Sequence, residues 1–361
     1  MSEINYKLLY RLPANRVWRT YNGGRVLDRI EGKASAEDGH FPEDWIGSAT
    51  RAINAGREDI VEGIGTAEAP DGSLVSMDTM IRTDPATMLG EKHVRAYGSQ
   101  PQLLVKFLDS TERLQIQAHP TVPWAKERLS SPNGKTEAWW FLNARDEADS
   151  WVLFGFQNPP RPGEWGRILR EQDKEAMMSC FEKVPVKKGD VLLVEGGVPH
   201  AIGPGLFMIE VMEPTDWVVR CEFSHGGLNN DPKSQCMGLE IDEVLDMFDY
   251  TPVSAREVPE RFGPVPVTVR EDENGTEVQL IGRPQTDRLE VRRVRGSGDF
   301  ELADDERFSI LLMLEGSGVL SAGGAELGLK PWDKVLLPAA CSSVSLNGDF
   351  QAARCLPPRP S

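Results

Sequence analysis

The spacing of apolar and polar residues predicts a chain built mainly from short strands. From residue 101 onward, short apolar runs such as PQLLVKFLD, RLQIQAHP and SWVLFGF are separated by Gly, Pro, Asn and Asp. Apolar runs bounded by turn residues are typical of strands in all-β barrels and jelly rolls. The sequence therefore predicts a mostly β fold, with further irregular strands in the first sixty or so residues.

Two stretches depart from the strand pattern and predict a small helical segment. The first covers about residues 73–98, where Asp84 and Pro85 indicate a break and the start of a second short helix, because proline is favoured at the first helical position. The second covers residues 163–183, which have a charged and an apolar face. IDEVLDMF, at 241–248, predicts one more short helix.

An internal similarity indicates two related β-barrel modules. The segment VKKGDVLLVEGGVPHAI aligns without gaps on LKPWDKVLLPAACSSVSL, which places Asp190 on Asp333. In this register His200 falls on Ser343, so only the first module retains the histidine. Repeated segments of this kind are typical of duplicated structural units.

A Pro-rich stretch at 251–267 predicts a linker between the modules. We therefore expect a first domain at 1–250, which includes the N-terminal strands and both helical stretches. A second, C-terminal β domain is expected at 251–361, without a metal site. The two domains would each contain one jelly-roll barrel.

Composition and charge narrow the class of function. The chain has 361 residues, a formal net charge of −16 and five cysteines without a CxxC pair. This charge disfavours binding to nucleic acids and anionic membranes, whereas scattered cysteines indicate reduced thiols in the cytoplasm. The first residues lack the apolar core of a signal peptide, and no apolar run is long enough to span a membrane. We expect a cytoplasmic protein whose partners are small molecules.

Four side chains could together hold a metal ion. Gln117 and His119 are two residues apart in a strand and therefore share a face. Glu137 lies on the next strand, and His200 follows a strand and turn. Two imidazoles, a carboxylate and a carboxamide oxygen suit zinc or another divalent first-row metal.

Structural interpretations of the same residues remain open at this point. A buried histidine is usually a hydrogen-bonded core residue, and Glu137 could face outward on a half-buried strand. Lys106 could be a solvated edge lysine. Asp216 and Arg220, four residues apart, could form a surface ion pair that contributes little to stability.

Three longer motifs in the first 250 residues resemble those of one enzyme family. LLVKFLDSTERLQIQAHP, GKTEAWWFL and GDVLLVEGGVPHAIGPGLFMIEVMEPTDWVVR are similar to successive motifs of type I phosphomannose isomerases, also called mannose-6-phosphate isomerases. RVWRTYNGG and EDWIGSA agree upstream, so the likeness covers roughly residues 16–222. GKTE, in place of a long helical insertion, resembles the shorter bacterial branch. The resemblance implies a cupin fold, with a degenerate cupin-like second domain.

The resemblance also implies a role for each matching residue. It implies metal ligands at Gln117, His119, Glu137 and His200, catalytic roles for Arg220, Lys135 and Asp216, and substrate binding by Lys106 and Gln115. The chain departs from the family at Gln115, where serine is usual, and after Arg220, where it continues CEFSHGGLNNDP. Because of these departures, the sequence does not determine which sugar is the substrate.

The function implied is that of a metal-dependent aldose–ketose isomerase, an intramolecular oxidoreductase. Such an enzyme interconverts mannose 6-phosphate and fructose 6-phosphate through a cis-enediol, with one divalent metal, expected to be Zn²⁺. We expect a sugar phosphate as substrate, no nucleic acid or membrane partner, and a monomer or small homo-oligomer. Whether Lys135 or a hydroxide ion is the base stays open.

Three other functions fit parts of the pattern. The chain could isomerise a different sugar or sugar phosphate, or bind sugar as a non-catalytic cupin. It could also be an iron-dependent oxygenase, since two histidines and one carboxylate can hold ferrous iron. The retained Lys135 and Arg220 favour catalysis over simple binding, and the added Gln117 ligand speaks against an oxygenase, which needs open positions on the metal.

Overall fold

The structure, a computed structural model, describes residues 4–54, 56–57, 59–146, 149–224 and 231–360. Strands dominate these residues, which confirms the predicted mostly β fold. The strands are β1 (Tyr10–Arg11), β2 (Arg16–Val17), β3 (Glu43–Ile46), β4 (Thr66–Glu68), β5 (Leu74–Ser76), β6 (Leu104–Asp109), β7 (Gln117–Ala118), β8 (Glu137–Ala144), β9 (Trp151–Phe154), β10 (Val184–Pro185), β11 (Val191–Val194), β12 (His200–Ile202), β13 (Leu206–Met212), β14 (Val219–Arg220), β15 (Val267–Asp272), β16 (Gly275–Ile281), β17 (Glu290–Glu301), β18 (Ser309–Ala322), β19 (Ala325–Leu329), β20 (Lys334–Leu337) and β21 (Ser345–Leu356).

The helices are short and lie mainly between groups of strands. They are α1 (Arg25–Ile30), α2 (Met77–Thr83), α3 (Pro85–Leu89), α4 (Glu91–Tyr97), α5 (Val122–Arg128), α6 (Pro162–Glu171), α7 (Lys174–Ser179), α8 (Pro232–Gln235), α9 (Ile241–Val244) and α10 (Val258–Phe262), with a 3-10 turn at Leu245–Met247. Among the helices of the described residues, none has the length and apolar character needed to cross a bilayer.

Contacts between residues divide the chain into two compact units. Unit 1 contains the described residues of three segments, and unit 2 those of two segments. The segments of unit 1 are 1–17, 44–106 and 264–361, and those of unit 2 are 18–43 and 107–263. Unit 1 therefore draws residues from both ends of the chain.

This division differs from the domains expected from the sequence, which meet at residue 250. The stretch predicted as a linker contributes Val253, Val258 and Phe262 to the core of unit 2, where all three are buried. Apolar side chains at this spacing on and before α10 explain the difference, because burying them is favourable. The separation of a catalytic domain from one without a metal site stays a prediction.

Two antiparallel arrangements of strands form unit 2. One sheet has the order β10-β9-β12-β7-β14, and β11, β8 and β13 pair in another. Successive residues of a strand face opposite sides. Accordingly, Val152 and Phe154 of β9 pack with Trp139 of β8, whereas Trp151 and Leu153 pack in a second core with residues of α6 and α7. The five-stranded sheet thus has one face toward β8 and the other toward helices.

The helical stretch predicted over 163–183 consists of two helices, so the interpretation as one helix was wrong. Gln172 ends α6 in the left-handed conformation, with φ 52°. The Asp173 carboxylate then accepts a hydrogen bond from the Ala176 amide at 3.0 Å and caps α7. Polar residues that bond to nearby backbone offer an alternative to a continuing helix.

The predicted break at Asp84 is confirmed. The Asp84 carboxylate accepts a hydrogen bond from the Thr87 amide at 3.1 Å, and Pro85 is the first residue of α3. The predicted short helix at 241–248 is also present, as α9 and the 3-10 turn. The predicted stretch at 73–98 opens with β5 instead of a helix.

Unit 1 is built around one large sheet. Its order is β15-β16-β17-β21-β18-β20-β1-β4-β5, with β19 paired to β18. The long central strands β17, β18 and β21 pair antiparallel, so that Phe300 and Leu320 both lie opposite Leu346. These side chains are buried in the main apolar core of the unit.

The two turns aligned by the internal repeat have the same geometry. In one, the Lys187 amide donates to the Asp190 carboxylate at 2.9 Å, and the Asp190 amide donates to the Lys187 carbonyl at 3.1 Å. In the other, Lys330 and Asp333 form the same two bonds, at 3.0 and 3.1 Å. The residue before each aspartate has a positive φ, 92° in the first turn and 77° in the second. This agreement supports two related modules.

Unit 1 contains a cluster of buried charges. We call the following residues the buried ion cluster: Glu277, Glu290, Arg292, Asp305, Arg307 and Arg354. The Arg292 guanidinium lies 2.9 Å from Glu277 and 2.6 Å from Asp305, and its side chain is fully buried. The three buried guanidiniums and the three carboxylates balance in charge, and the half-exposed Arg359 adds a contact with Asp305 at 2.8 Å.

We expect Arg292→Met to lower the free energy of unfolding by about 3–5 kcal/mol, because it leaves buried carboxylates without a cation. Urea unfolding measures this. Arg270→Met is the matched control, since the Arg270–Glu301 pair of the same unit is exposed and such pairs contribute less than about 1 kcal/mol. Equal losses in the two variants would contradict the role given to burial.

Candidate metal centre

A row of three polar side chains crosses three neighbouring strands of unit 2. Gln117 of β7 pairs with His200 of β12 on one side and with Arg220 of β14 on the other. Residues directly opposite in an antiparallel pair share a face. Ala118 and Val219, one position along, are buried in the core that contains α6 and α7. The row therefore points away from the helices.

The structure brings together all four side chains predicted as ligands. His119 lies two residues beyond Gln117 on the same face, and Glu137 comes from β8. Ligand atoms of His119, Glu137 and His200 all lie within 4.8 Å of one another, and the three residues are buried. The Gln117 amide nitrogen lies 3.4 Å from His200 Nε2, and a half-turn of this amide would present its oxygen there instead.

Backbone carbonyls set the tautomers of both histidines. His119 Nδ1 lies 2.9 Å from the Trp217 carbonyl, and His200 Nδ1 lies 2.9 Å from the Val198 carbonyl. A carbonyl only accepts hydrogen bonds, so each Nδ1 carries the proton and donates it. Each Nε2 is then left with a free lone pair, which is how a second partner prepares a metal-ligating histidine.

The Glu137 carboxylate faces one of these lone pairs. Its Oε1 is buried and lies 3.1 Å from His119 Nε2. Within the described part of the chain this oxygen accepts no well-aligned hydrogen bond, although the Lys135 ammonium lies 3.2 Å away. Its other oxygen accepts a hydrogen bond from the Trp139 indole at 3.0 Å. Two acceptors at this distance repel unless a proton or a cation lies between or beside them.

The electrostatics favour a cation over a proton. Burial lowers the pKa of His119, and the charge of Lys135 lowers it further. Burial, together with His119, lowers the pKa of His200 to about 3. Burial alone would raise the pKa of Glu137, but the charge of Lys135 holds it well below its usual range. Two neutral imidazoles and an ionised carboxylate fit a divalent first-row metal.

Glycines in two turns allow the ligand segments to approach closely. A Cβ at Gly134 would lie 2.5 Å from the Pro120 carbonyl, and one at Gly196 would lie 2.9 Å from the same oxygen. Hydrogen bonds connect the segments, from the Lys135 amide to Pro120 at 3.0 Å and from the Gly197 amide to the His119 carbonyl at 2.7 Å. The turns before Glu137 and His200 therefore both pack on the end of β7.

Lys135 belongs to the same group. Its Nζ lies 3.2 Å from Glu137 Oε1 and 3.4 Å from His119 Nε2, and the side chain is buried. Lys135 and Glu137 are two residues apart, as are Gln117 and His119, so the sequence periodicity gave a usable signal for both pairs. A buried ammonium here can stabilise negative charge on a bound substrate, or exchange a proton with that substrate.

Asp216 forms an ion pair that the sequence did not indicate. Both of its oxygens accept hydrogen bonds from Arg19, at 3.2 and 3.3 Å, and Arg19 also donates to Glu43 at 3.1 Å. The interpretation of Asp216 and Arg220 as a simple surface pair is therefore wrong, because Asp216 is mostly buried. Burial lowers the pKa of Arg220, and the nearby Asp216 carboxylate partly offsets this.

The two predicted substrate-binding residues have other contacts. The Gln115 amide nitrogen donates to the Glu222 carbonyl at 2.6 Å. Lys106 lies in unit 1, where it is buried with its ammonium 5.0 Å from the ring centroid of Trp45. Binding of substrate by Gln115 and Lys106 stays a prediction.

Sequence reasoning missed several residues around the ligands. Trp139 lies on the same face as Glu137 and could have been found from its spacing. Arg19 and Glu43 lie in the RVWRTYNGG and EDWIGSA motifs, which were recognised without a role for either residue. The carbonyls of Trp217 and Val198 left no signal, because a backbone atom is common to every residue type.

Comparisons with known proteins find similarity to one family of isomerases. The sequence model of the mannose-6-phosphate isomerase cupin domain matches residues 287–357. A mannose-6-phosphate isomerase of Streptococcus mutans is 24% identical over 288 residues, which cover 78% of this chain and 84% of that protein.

Solved structures have the same fold. The mannose 6-phosphate isomerase of Bacillus subtilis matches with a TM-score of 0.72 and 19% identity, over 96% of this chain and 99% of that one. The enzyme of Salmonella typhimurium, solved with its substrate fructose 6-phosphate and zinc, matches with a TM-score of 0.70 and 17% identity over 97% and 99% of the two chains. These matches show that the chain shares the fold of those structures, and they are of the same kind as the resemblance indicated by the motifs.

His200→Ala should lose bound metal, whereas Ser343→Ala should retain it, because Ser343 is the repeat position without a ligand. We expect the affinity for Zn²⁺ to fall by at least about 100-fold in the first variant, as even the loss of an outer partner of a ligand costs 10–100-fold. Calorimetric titration of chelator-treated protein with Zn²⁺ measures it. Equal affinity losses in both variants would contradict a single site.

Proposed function

We propose that this chain is a metal-dependent aldose–ketose isomerase that interconverts mannose 6-phosphate and fructose 6-phosphate through a cis-enediol. The observation that carries the proposal is the buried arrangement of His119 Nε2 against Glu137 Oε1, with the Lys135 ammonium within 3.4 Å of both atoms. It joins a metal-binding group to a group able to move a proton. The choice of mannose 6-phosphate as substrate comes from the similar proteins, which are mannose-6-phosphate isomerases.

The residues of the chain would divide this reaction between them. Gln117, His119, Glu137 and His200 would hold the metal, which when bound supplies Lewis-acid stabilisation of negative charge on the substrate oxygens. The reaction moves a proton between two neighbouring carbons, so one group must take the proton from the first carbon and return it to the second. Lys135 would take this role, and its burial, which excludes water that would exchange the proton, supports the assignment.

Arg220 would stabilise negative charge on the substrate. A guanidinium does not lose its proton in proteins, so it acts here as a fixed positive charge. The pairing of Arg220 with Gln117, in one row with His200, supports this role. Asp216 would orient the neighbouring arginines, and Lys106 would help hold the phosphate, as the resemblance implies. Cytoplasmic location and a monomer or small homo-oligomer stay predictions.

Turnover of mannose 6-phosphate under anaerobic conditions, measured as formation of fructose 6-phosphate, tests the proposal. We expect turnover that disappears after treatment with a chelator and returns with Zn²⁺ or another divalent ion, because the substrate charge then lacks a Lewis acid. A panel of hexoses and hexose 6-phosphates is the comparison set. Metal-replete protein without turnover, or turnover that needs oxygen, would exclude the function.

Lys135→Met should lower kcat by about 100-fold or more, because positioned acid–base groups typically contribute 10²–10⁴-fold. The metal content should stay at the wild-type level, since the four ligands are unchanged. Steady-state kinetics and metal analysis on one preparation provide both values. Loss of metal together with activity would assign Lys135 to the metal site instead of to proton transfer.

A further inference from the structure

The backbone hydrogen-bond ladder that holds Arg220 ends one residue beyond it, at Cys221. Val219 and Arg220 pair with Ala118 and Gln117, and these two pairs are the whole of β14 on β7. One further backbone bond follows, from the Cys221 amide to the Ile116 carbonyl at 2.7 Å. A strand this short is prone to fraying unless other groups continue its pairing.

Side chains continue the pairing beyond Arg220. The Ile116 amide donates to the Glu222 carboxylate at 2.8 Å, in the place of a backbone acceptor. The Gln115 amide nitrogen donates to the Glu222 carbonyl at 2.6 Å, in the place of a backbone donor. Glu222 and Gln115 thus replace the next step of the ladder, one from each segment.

An arginine fixes the Glu222 side chain in this position. Arg113 donates to both Glu222 oxygens at 2.7 Å, and also to the Leu114 carbonyl at 2.8 Å. Only 3% of the Glu222 side chain is exposed. A bidentate, largely buried pair of this kind is rigid and geometrically specific.

The other side of the segment is held from the helical layer. Gln172, at the end of α6, donates to the Cys221 carbonyl at 3.0 Å and accepts from the Phe223 amide at 2.7 Å. Polar contacts therefore hold residues 221–223 from both sides. We call Arg113, Gln115, Gln172 and Glu222 the polar seam.

We propose that the polar seam positions the Arg220 guanidinium for the reaction, and that Gln115 acts as a positioning residue through Glu222. The inference rests on the proposed function, because it concerns the reaction in which Arg220 takes part. It assigns a role to both departures from the family pattern, Gln115 and the CEF that follows Arg220. These residues lie on adjoining segments and bond to one another.

Gln115→Leu tests the inference by removing the donor to Glu222 while keeping a side chain of similar size. We expect kcat for mannose 6-phosphate to fall by about 10–100-fold, since small displacements of a charged group at the reacting centre have effects of that size. Zinc content should not change. Wild-type kcat in this variant would overturn the inference.

A double-mutant cycle with Arg220→Lys separates positioning from general destabilisation. If the seam acts through the guanidinium, Gln115→Leu should change kcat by less than about 2-fold in the Arg220→Lys background, whereas non-interacting sites would show the full loss in both backgrounds. The full 10–100-fold loss in that background would overturn the inference, as would a rise in KM alone, which would indicate direct contact of Gln115 with substrate.

Gln157→Leu is the matched control within unit 2. The Gln157 amide likewise donates to backbone carbonyls, of Phe154 at 3.0 Å and Val253 at 2.9 Å, and accepts from the Glu182 amide at 2.6 Å. Its loss should leave kcat unchanged. A loss equal to that of Gln115→Leu would overturn the specific role of the seam.

Amide hydrogen exchange distinguishes failure of the inference from failure of the proposed function. Wild-type protein that does not isomerise mannose 6-phosphate overturns the function, and the seam is then judged by exchange alone. Faster exchange of residues 219–223 in Gln115→Leu, but not in Gln157→Leu, supports it. Unchanged exchange there overturns it.

Discussion

Burial of the Glu137 carboxylate is the constraint on which the rest of the site depends. A buried carboxylate is costly unless positive groups and hydrogen bonds surround it. Here the Trp139 indole satisfies one oxygen, while the other faces Lys135 and the lone pair of His119. The Trp217 carbonyl keeps the proton of neutral His119 on Nδ1. A change of tautomer that made Nε2 a donor would therefore break the hydrogen bond from Nδ1 to Trp217. The site therefore holds a carboxylate oxygen and an imidazole lone pair against each other beside the Lys135 ammonium, an arrangement that suits a metal centre better than an ordinary core.

Alternation along short strands delivers these groups to one place. Gln117 and Arg220 each have an apolar neighbour, Ala118 and Val219, that packs with the helices. Along each of these strands, therefore, a polar residue faces the metal site and the next, apolar residue faces the core. A shift of register by one residue would exchange the two sets. The polar seam lies at the end of the two-residue strand that carries Arg220, where few backbone hydrogen bonds fix the register.

Much of this could be predicted from sequence, for reasons that differ between residues. The pair Gln117 and His119 was predictable because period-two spacing is itself the geometry of a strand. Helix 163–183 was predicted as one element because its amphipathic pattern continues through Gln172, whose left-handed conformation leaves no mark on that pattern. Arg19 could not be assigned to Asp216, because nothing local links residues nearly two hundred positions apart. The role of Gln115 was open because a glutamine side chain can form hydrogen bonds equally well with a substrate or with the backbone.

The two modules show why the fold alone does not decide function. Both have the same aspartate turn, with matching bonds at Asp190 and Asp333. In unit 1 the buried charges balance, since each guanidinium of the buried ion cluster has a carboxylate partner. In unit 2, Glu137 Oε1 lies 3.1 Å from His119 Nε2 and its lone pair, with the Lys135 ammonium 3.2 Å away. Matched charges stabilise the module that contains them, whereas two acceptors held against each other favour the binding of a cation. The two units therefore differ in how a few buried polar atoms are paired.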